Sequence, residues 1–118
     1  MGKMSRDKGK RYEREVAEAF RQMGFPDARR GVQFQGGPDS PDVAGVPGVH
    51  IEAKHVEALN VYAAMKQSTD EAKVGEVPVV VHRKNQQCSL VTLRLSDVPQ
   101  FAALVETALR LAKLNTGR

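Results

Sequence analysis

A chain of 118 residues has the length of one domain, enough to bury a single core with little stability to spare. Its 41% hydrophobic and 27% charged residues exclude a disordered chain, and the absence of a long apolar run or a secretion-type leader makes a membrane partner unexpected and a cytoplasmic location the expectation. Cys88 is the single cysteine, which excludes an internal disulfide and a structural thiolate–zinc cluster, while a formal net charge of +4 points to a polyanionic partner.

The first ten or so residues form a basic segment, with Lys3, Arg6, Lys8 and Lys10, and Arg11, Arg14, Arg21, Arg29 and Arg30 follow. Clustered positive charge suits phosphates, because each one neutralised releases condensed counterions; the competing reading is a solubilising tail. The first helix is expected from about Ser5 to Met23, with Tyr12, Val16, Ala19, Phe20 and Met23 at helical spacing and Gly24 as its stop. A short strand is expected around Val32 to Phe34, then a turn-rich segment through Gly36 to Pro41. Asp42 to Val46 reads as a strand, and Pro47-Gly48 as a tight turn.

Val49 to His55 is the next strand, with Val49, Ile51 and Ala53 on one face. Leu59 to Val74 is expected to be helical despite a poor apolar stripe. Val77 to His82 is a β-branched run typical of a strand covered on both faces. Leu90, Val91, Leu93 and Leu95 make another strand, and Cys88, before it, is expected to be a small buried hydrophobe. Ser96-Asp97-Val98-Pro99 starts the last helix, whose stripe is Phe101, Leu104, Val105, Ala108, Leu111 and Ala112. The α-β-β-β-α-β-β-α order predicts an α/β fold, a mixed central β-sheet flanked by helices in one domain over residues 1–118.

Chemistry concentrates in the hairpin. Side chains alternate along a strand, so His50, Glu52 and Lys54 share one face, with Glu52 and Lys54 about 6 to 7 Å apart at their Cα atoms. The Pro47-Gly48 turn can bring Asp42 back towards Glu52. Two converging carboxylates call for a cation, and magnesium, an oxygen-seeking ion that keeps several waters, suits them; the Ala53 carbonyl can add a ligand. Manganese is the natural substitute. Lys54 beside such an ion can orient or deprotonate a water, or neutralise charge on a phosphate; the bland alternative is a surface Glu–Lys strand pair. Glu13 falls inside the inward arc of the first helix, where a carboxylate is costly unless paired or near a metal. Asp39 also follows a proline, but Asp42 is preferred because Val43 continues it into a strand. His50, His55 and His82 show no metal-ligand spacing and read as ordinary polar residues.

Ser40-Pro41-Asp42, the nine-residue gap and Glu52-Ala53-Lys54 together resemble the PD-(D/E)xK nuclease superfamily, most closely the small archaeal Holliday-junction resolvases and related phage-type nucleases. Gly9-Lys10-Arg11-Tyr12-Glu13 matches the family's Gly-x-x-x-Glu helix, and the likeness runs from about Lys8 to Val81. The resemblance implies a restriction-endonuclease-like core and a metal-dependent DNA endonuclease, with Asp42, Glu52, Ala53 and Glu13 around the metal and Lys54 catalytic. It also implies a glutamine near the scissile phosphate, matched by Gln67, although the tyrosine that follows in some relatives is Glu71 here. Lys8, Lys10, Arg11, Arg29, Arg30 and Ser40 are the candidate DNA contacts, Ser40 being equally a turn residue. With no appended recognition module, DNA shape is a better target than base sequence. Branched DNA cut by a homodimer, as in recombination, fits the resemblance best. Flap or nick processing, an RNA substrate, and a non-catalytic DNA-binding module of the same fold stay open, as does one metal ion against two.

Overall fold

Tyr12, Val16, Ala17 and Phe20 lie on one face of helix α1 (Gly2–Gln22) and are all at most 2% exposed, so this amphipathic face holds the helix against the sheet. The computed structural model describes residues 2–31 and 40–116. At the end of α1, Gly24 takes φ +106°, and a Cβ there would stand 2.5 Å from the Ala108 carbonyl oxygen; only glycine stops this helix and lets the last helix approach so closely.

Five strands form one mixed sheet in sequence order: β1 (Arg29–Arg30), β2 (Val43–Ala44), β3 (Val49–His55), β4 (Val77–Arg83) and β5 (Leu90–Leu93). The β1–β2, β2–β3 and β4–β5 pairs are antiparallel, whereas β3 and β4 run parallel over their whole length, from Val49 beside Val77 to His55 beside Arg83. A parallel pair needs a crossover, and helix α2 (Val61–Glu71) supplies it, capped by the Asn60 side chain accepting from the Ala63 N–H at 3.0 Å. After a 3₁₀ turn at Leu95–Asp97, helix α3 (Val98–Thr116) closes the described chain.

The chain is thus α/β, with a five-stranded mixed sheet and three helices among the described residues. The expected order of elements is found, and Val49–His55 is a strand over the expected span. Val43, Val49, Ile51, Val77, Val79 and Val81 join the α1 face in one core, with Ala108 from α3 and Phe101, Leu104 and Val105 packed against it. The opposite face lies under α2. There Ser68, fully buried, donates from Oγ to the Val79 carbonyl of β4 at 3.1 Å, with the His50 carbonyl of β3 at 3.4 Å.

Several expectations need correction. The first strand lies at Arg29–Arg30, made by backbone pairing and not by apolar alternation; the one expected around Val32 to Phe34 lies outside the described residues. Strand β2 stops at Ala44, because Gly45 turns the chain with φ +83°. Leu95 sits in the 3₁₀ turn and is 86% exposed. Cys88 is exposed, since it belongs to the β4–β5 connection and not to the strand. Leu111 is 55% exposed: Ala108 makes the last buried contact of α3, and beyond it the helix has run past the core.

Candidate functional site

Asp42 is placed by its backbone before its side chain acts. Its carbonyl accepts from Gly31 N–H at 2.7 Å and its N–H donates to the Ile51 carbonyl at 2.9 Å. A turn closed by Val49 N–H on the Val46 carbonyl, with Gly48 at φ +84°, folds β2 onto β3; Pro47-Gly48 is the pairing that such a turn demands. The Asp42 Oδ2 then accepts from the Ala53 N–H at 2.9 Å. A strand residue sends its N–H and C=O to the same side, so the Ala53 carbonyl opens towards Asp42 as well.

Glu52 is 1% exposed. Burial, foremost, pushes its carboxyl up to about 7, the hydrogen bond with His50 opposes this, and the carboxylates of Asp42 and Glu71 add to it. Burial also raises Glu13, as does the charge of Asp42, against the pull of Arg30. Asp42 is therefore flanked electrostatically by an acid from α1 and one from β3, residues far apart in sequence. Lys54, on the Glu52 face, donates from Nζ to Gln67 Oε1 at 3.1 Å, and Gln67 Nε2 stands 3.4 Å from both Glu52 Oε1 and Glu71 Oε2. Gln67 therefore bridges the lysine and the acids.

Glu13 Oε1 accepts from Arg30 Nε at 2.9 Å. That ion pair sets Arg30, one of the candidate DNA contacts, beside the acidic site. Lys10, Arg11 and Arg29 are exposed and Lys8 and Ser40 half-buried. Lys8 lies near the far end of β3: burial, then the charges of Lys8 and Arg83, hold His55 below its ordinary value.

The side chains whose ligand atoms already lie together form a different set from the one expected. His50, Glu52 and Glu71 present ligand atoms within 4.8 Å of one another, a group that could hold a metal ion. His50, read from sequence as an ordinary polar residue, is 2% exposed, with Nε2 2.7 Å from Glu52 Oε2 and 3.7 Å from Glu71 Oε1. Its ring loses basicity to burial, yet the Glu52 hydrogen bond and the charges of Glu52, Glu76 and Glu71 leave it above its ordinary value. His50 and Glu52 at i, i+2 with Gln67 and Glu71 at i, i+4 were the available signal. A larger pocket of about 600 Å³ lies beside Val56, His82 and Cys88, away from these acids; polar convergence, not volume, marks the site.

No family model, curated protein sequence or solved structure matches the chain. No helix among the described residues is long and apolar enough to cross a membrane.

Proposed function

We propose that the chain is a divalent-metal-dependent nuclease of restriction-endonuclease-like fold that hydrolyses phosphodiester bonds in DNA. The observation that carries this reading is the tie between Asp42 and the Ala53 N–H, which sets a carboxylate beside Glu52 and one strand step from the Glu52–Lys54 face. The donor set fits magnesium: the Asp42 and Glu52 carboxylates and the Ala53 carbonyl are all oxygen, and carboxylates packed this closely favour protonation or a cation. Manganese is the expected substitute. Glu13, tied to Arg30, adds negative charge at the rim.

A magnesium ion bound there supplies Lewis-acid polarisation of a phosphate oxygen and a more acidic water. The remaining work belongs to the protein. Lys54, aimed by Gln67, neutralises charge that develops on the phosphate, and Gln67 holds Lys54 and Glu52 in fixed relation. Lys8, Lys10, Arg11 and Arg29 grip flanking phosphates, selecting DNA shape over base sequence. Two copies joined through the exposed leucines of α3 would present paired sites to a branched substrate.

The test is cleavage of junction, flap, linear duplex, single-stranded DNA and RNA of matched length, in magnesium and in chelator. Magnesium-dependent cutting that favours branched DNA, lost in Asp42→Asn and Glu52→Gln, is the expected result. Wild-type protein that binds these substrates and cuts none of them overturns the reading in favour of a binding module.

A further inference from the structure

His50 faces three carboxylates and a way in from solvent. Its Nε2 meets Glu52 Oε2 at 2.7 Å and Glu71 Oε1 at 3.7 Å, and its Nδ1 stands 3.9 Å from Glu76 Oε1. Glu76 is itself fixed there, accepting from the Lys73 N–H at 2.8 Å. An imidazole with carboxylates at one nitrogen and a further carboxylate 3.9 Å from the other needs only a small side-chain shift to become a metal ligand with its outer partner. Independently, a pocket of about 340 Å³ opens between the β2–β3 turn and these side chains, with His50, Glu71 and Glu76 on its wall.

We propose that His50, Glu52 and Glu71 form a second cation site, selective for a borderline divalent ion such as Zn²⁺ over Mg²⁺ and reached through this pocket. One nitrogen and two oxygens are donors that zinc accepts readily, whereas magnesium is held by oxygen. The geometry needs little change. Ligands at about 2.0–2.2 Å around a tetrahedral ion stand roughly 3.3–3.5 Å apart, so the 2.7 Å pair opens and the 3.7 Å pair closes, each by less than about 1 Å. The proton now shared between His50 and Glu52 leaves to solvent as the ion takes its place. A water from the pocket completes the shell. The site involves Glu52, but its occupancy does not depend on whether the chain cleaves DNA.

Competition with a chromophoric zinc chelator, on the metal-free full chain at neutral pH, tests the site. The expected result is one Zn²⁺ per wild-type chain, not displaced by a large excess of Mg²⁺, which contends only for the shared Glu52. Binding should weaken at least about tenfold in His50→Ala and Glu71→Gln, since loss of even an outer partner costs that much, and persist in Asp42→Asn. Cobalt in place of zinc should give a visible d–d band that disappears in His50→Ala. Circular dichroism checks folding; Glu71, whose side chain is 20% exposed, remains a usable position if His50→Ala does not fold. Equal zinc affinity in wild type, His50→Ala and Glu71→Gln overturns the site, as does a wild type that binds no zinc. Zinc binding that needs His50 and Glu71 in a chain that cuts no nucleic acid supports the site and removes only the nuclease reading.

Discussion

The Asp42 carboxylate and the Ala53 N–H meet across the hairpin, Oδ2 to N 2.9 Å, so one side chain both ties the start of β2 to β3 and sets a carboxylate beside the Glu52 strand. Asn at this position can still accept that hydrogen bond, whereas Ala cannot. Asp42→Asn should keep near-wild-type folding stability and lose magnesium-dependent cleavage by about 10²-fold or more. Asp42→Ala should lose the activity and also about 1–3 kcal/mol of stability for the charged hydrogen bond. Urea unfolding beside a cleavage assay separates the two effects; equal stability losses would show that the tie contributes nothing.

On the proposed reading, Lys54 should serve the reaction and not the grip on substrate. Lys54→Ala should cut the rate by about 10²-fold or more while DNA affinity stays within a few fold. Gln67→Ala, which frees the lysine without removing it, should fall between wild type and Lys54→Ala. Single-turnover rates with separately measured binding decide this, and a normal rate in Lys54→Ala would make the strand pair structural.

Stability should carry a histidine signature from outside the acidic site. Burial holds His82 below its ordinary 6.5, next to Lys54 in the β3 register and with Nε2 2.8 Å from Thr92 Oγ1 of β5. A group with a depressed folded value stabilises the fold above its unfolded value, and that stabilisation is lost as pH falls through the folded one. Urea unfolding in chelator at pH 8 and pH 5 should therefore show wild type losing more stability on acidification than His82→Gln. Parallel losses in the two proteins would remove His82 as the cause.

The basic residues should divide into two kinds. Neutralising Lys8, Lys10, Arg11 and Arg29 should weaken DNA binding alike across sequences and flatten its salt dependence by roughly one unit of slope per lost contact. Arg30→Ala should instead lower stability, because it strips Glu13 of its partner. An unchanged salt slope in the multiple variant would return the segment to the status of a solubilising tail.

Leu109, Leu111 and Leu114 are 48%, 55% and 64% exposed along the outer part of α3, and a second copy of the chain could cover some of them. Sedimentation at micromolar concentration should give a dimer, and Leu109→Glu with Leu111→Glu a monomer. A wild-type monomer, free and on DNA, would remove the paired cuts with it.

Regular elements were legible in the sequence where a period was strong. The alternation through Val49 to His55 located β3 and correctly put His50, Glu52 and Lys54 on one face, and the inward placement of Glu13 followed from the helical projection. Strand β1 was not legible, since a two-residue Arg-Arg strand carries no apolar signal and exists through bonds such as Gly31 N–H to the Asp42 carbonyl. The His50–Glu52–Glu71 group escaped because it assembles across a strand and a helix, and the i, i+2 and i, i+4 pairs within each element carry no sign that the two elements meet. Leu111 misled for a different reason: helical periodicity continues after the layer it packs on has ended.

Ser68 gives α2 a mechanical property. Its hydroxyl pins the helix to strand carbonyls beneath it, from a position next to Gln67 and three residues before Glu71. Sliding α2 by even one residue would break that anchor and leave the buried Ser68 hydroxyl without its partners, at a cost of about 1–3 kcal/mol. The helix therefore behaves as a fixed beam. Gln67 and Glu71 thereby keep their height above β3, and rotation about their own side-chain bonds, fast and local, is the least costly way for them to adjust.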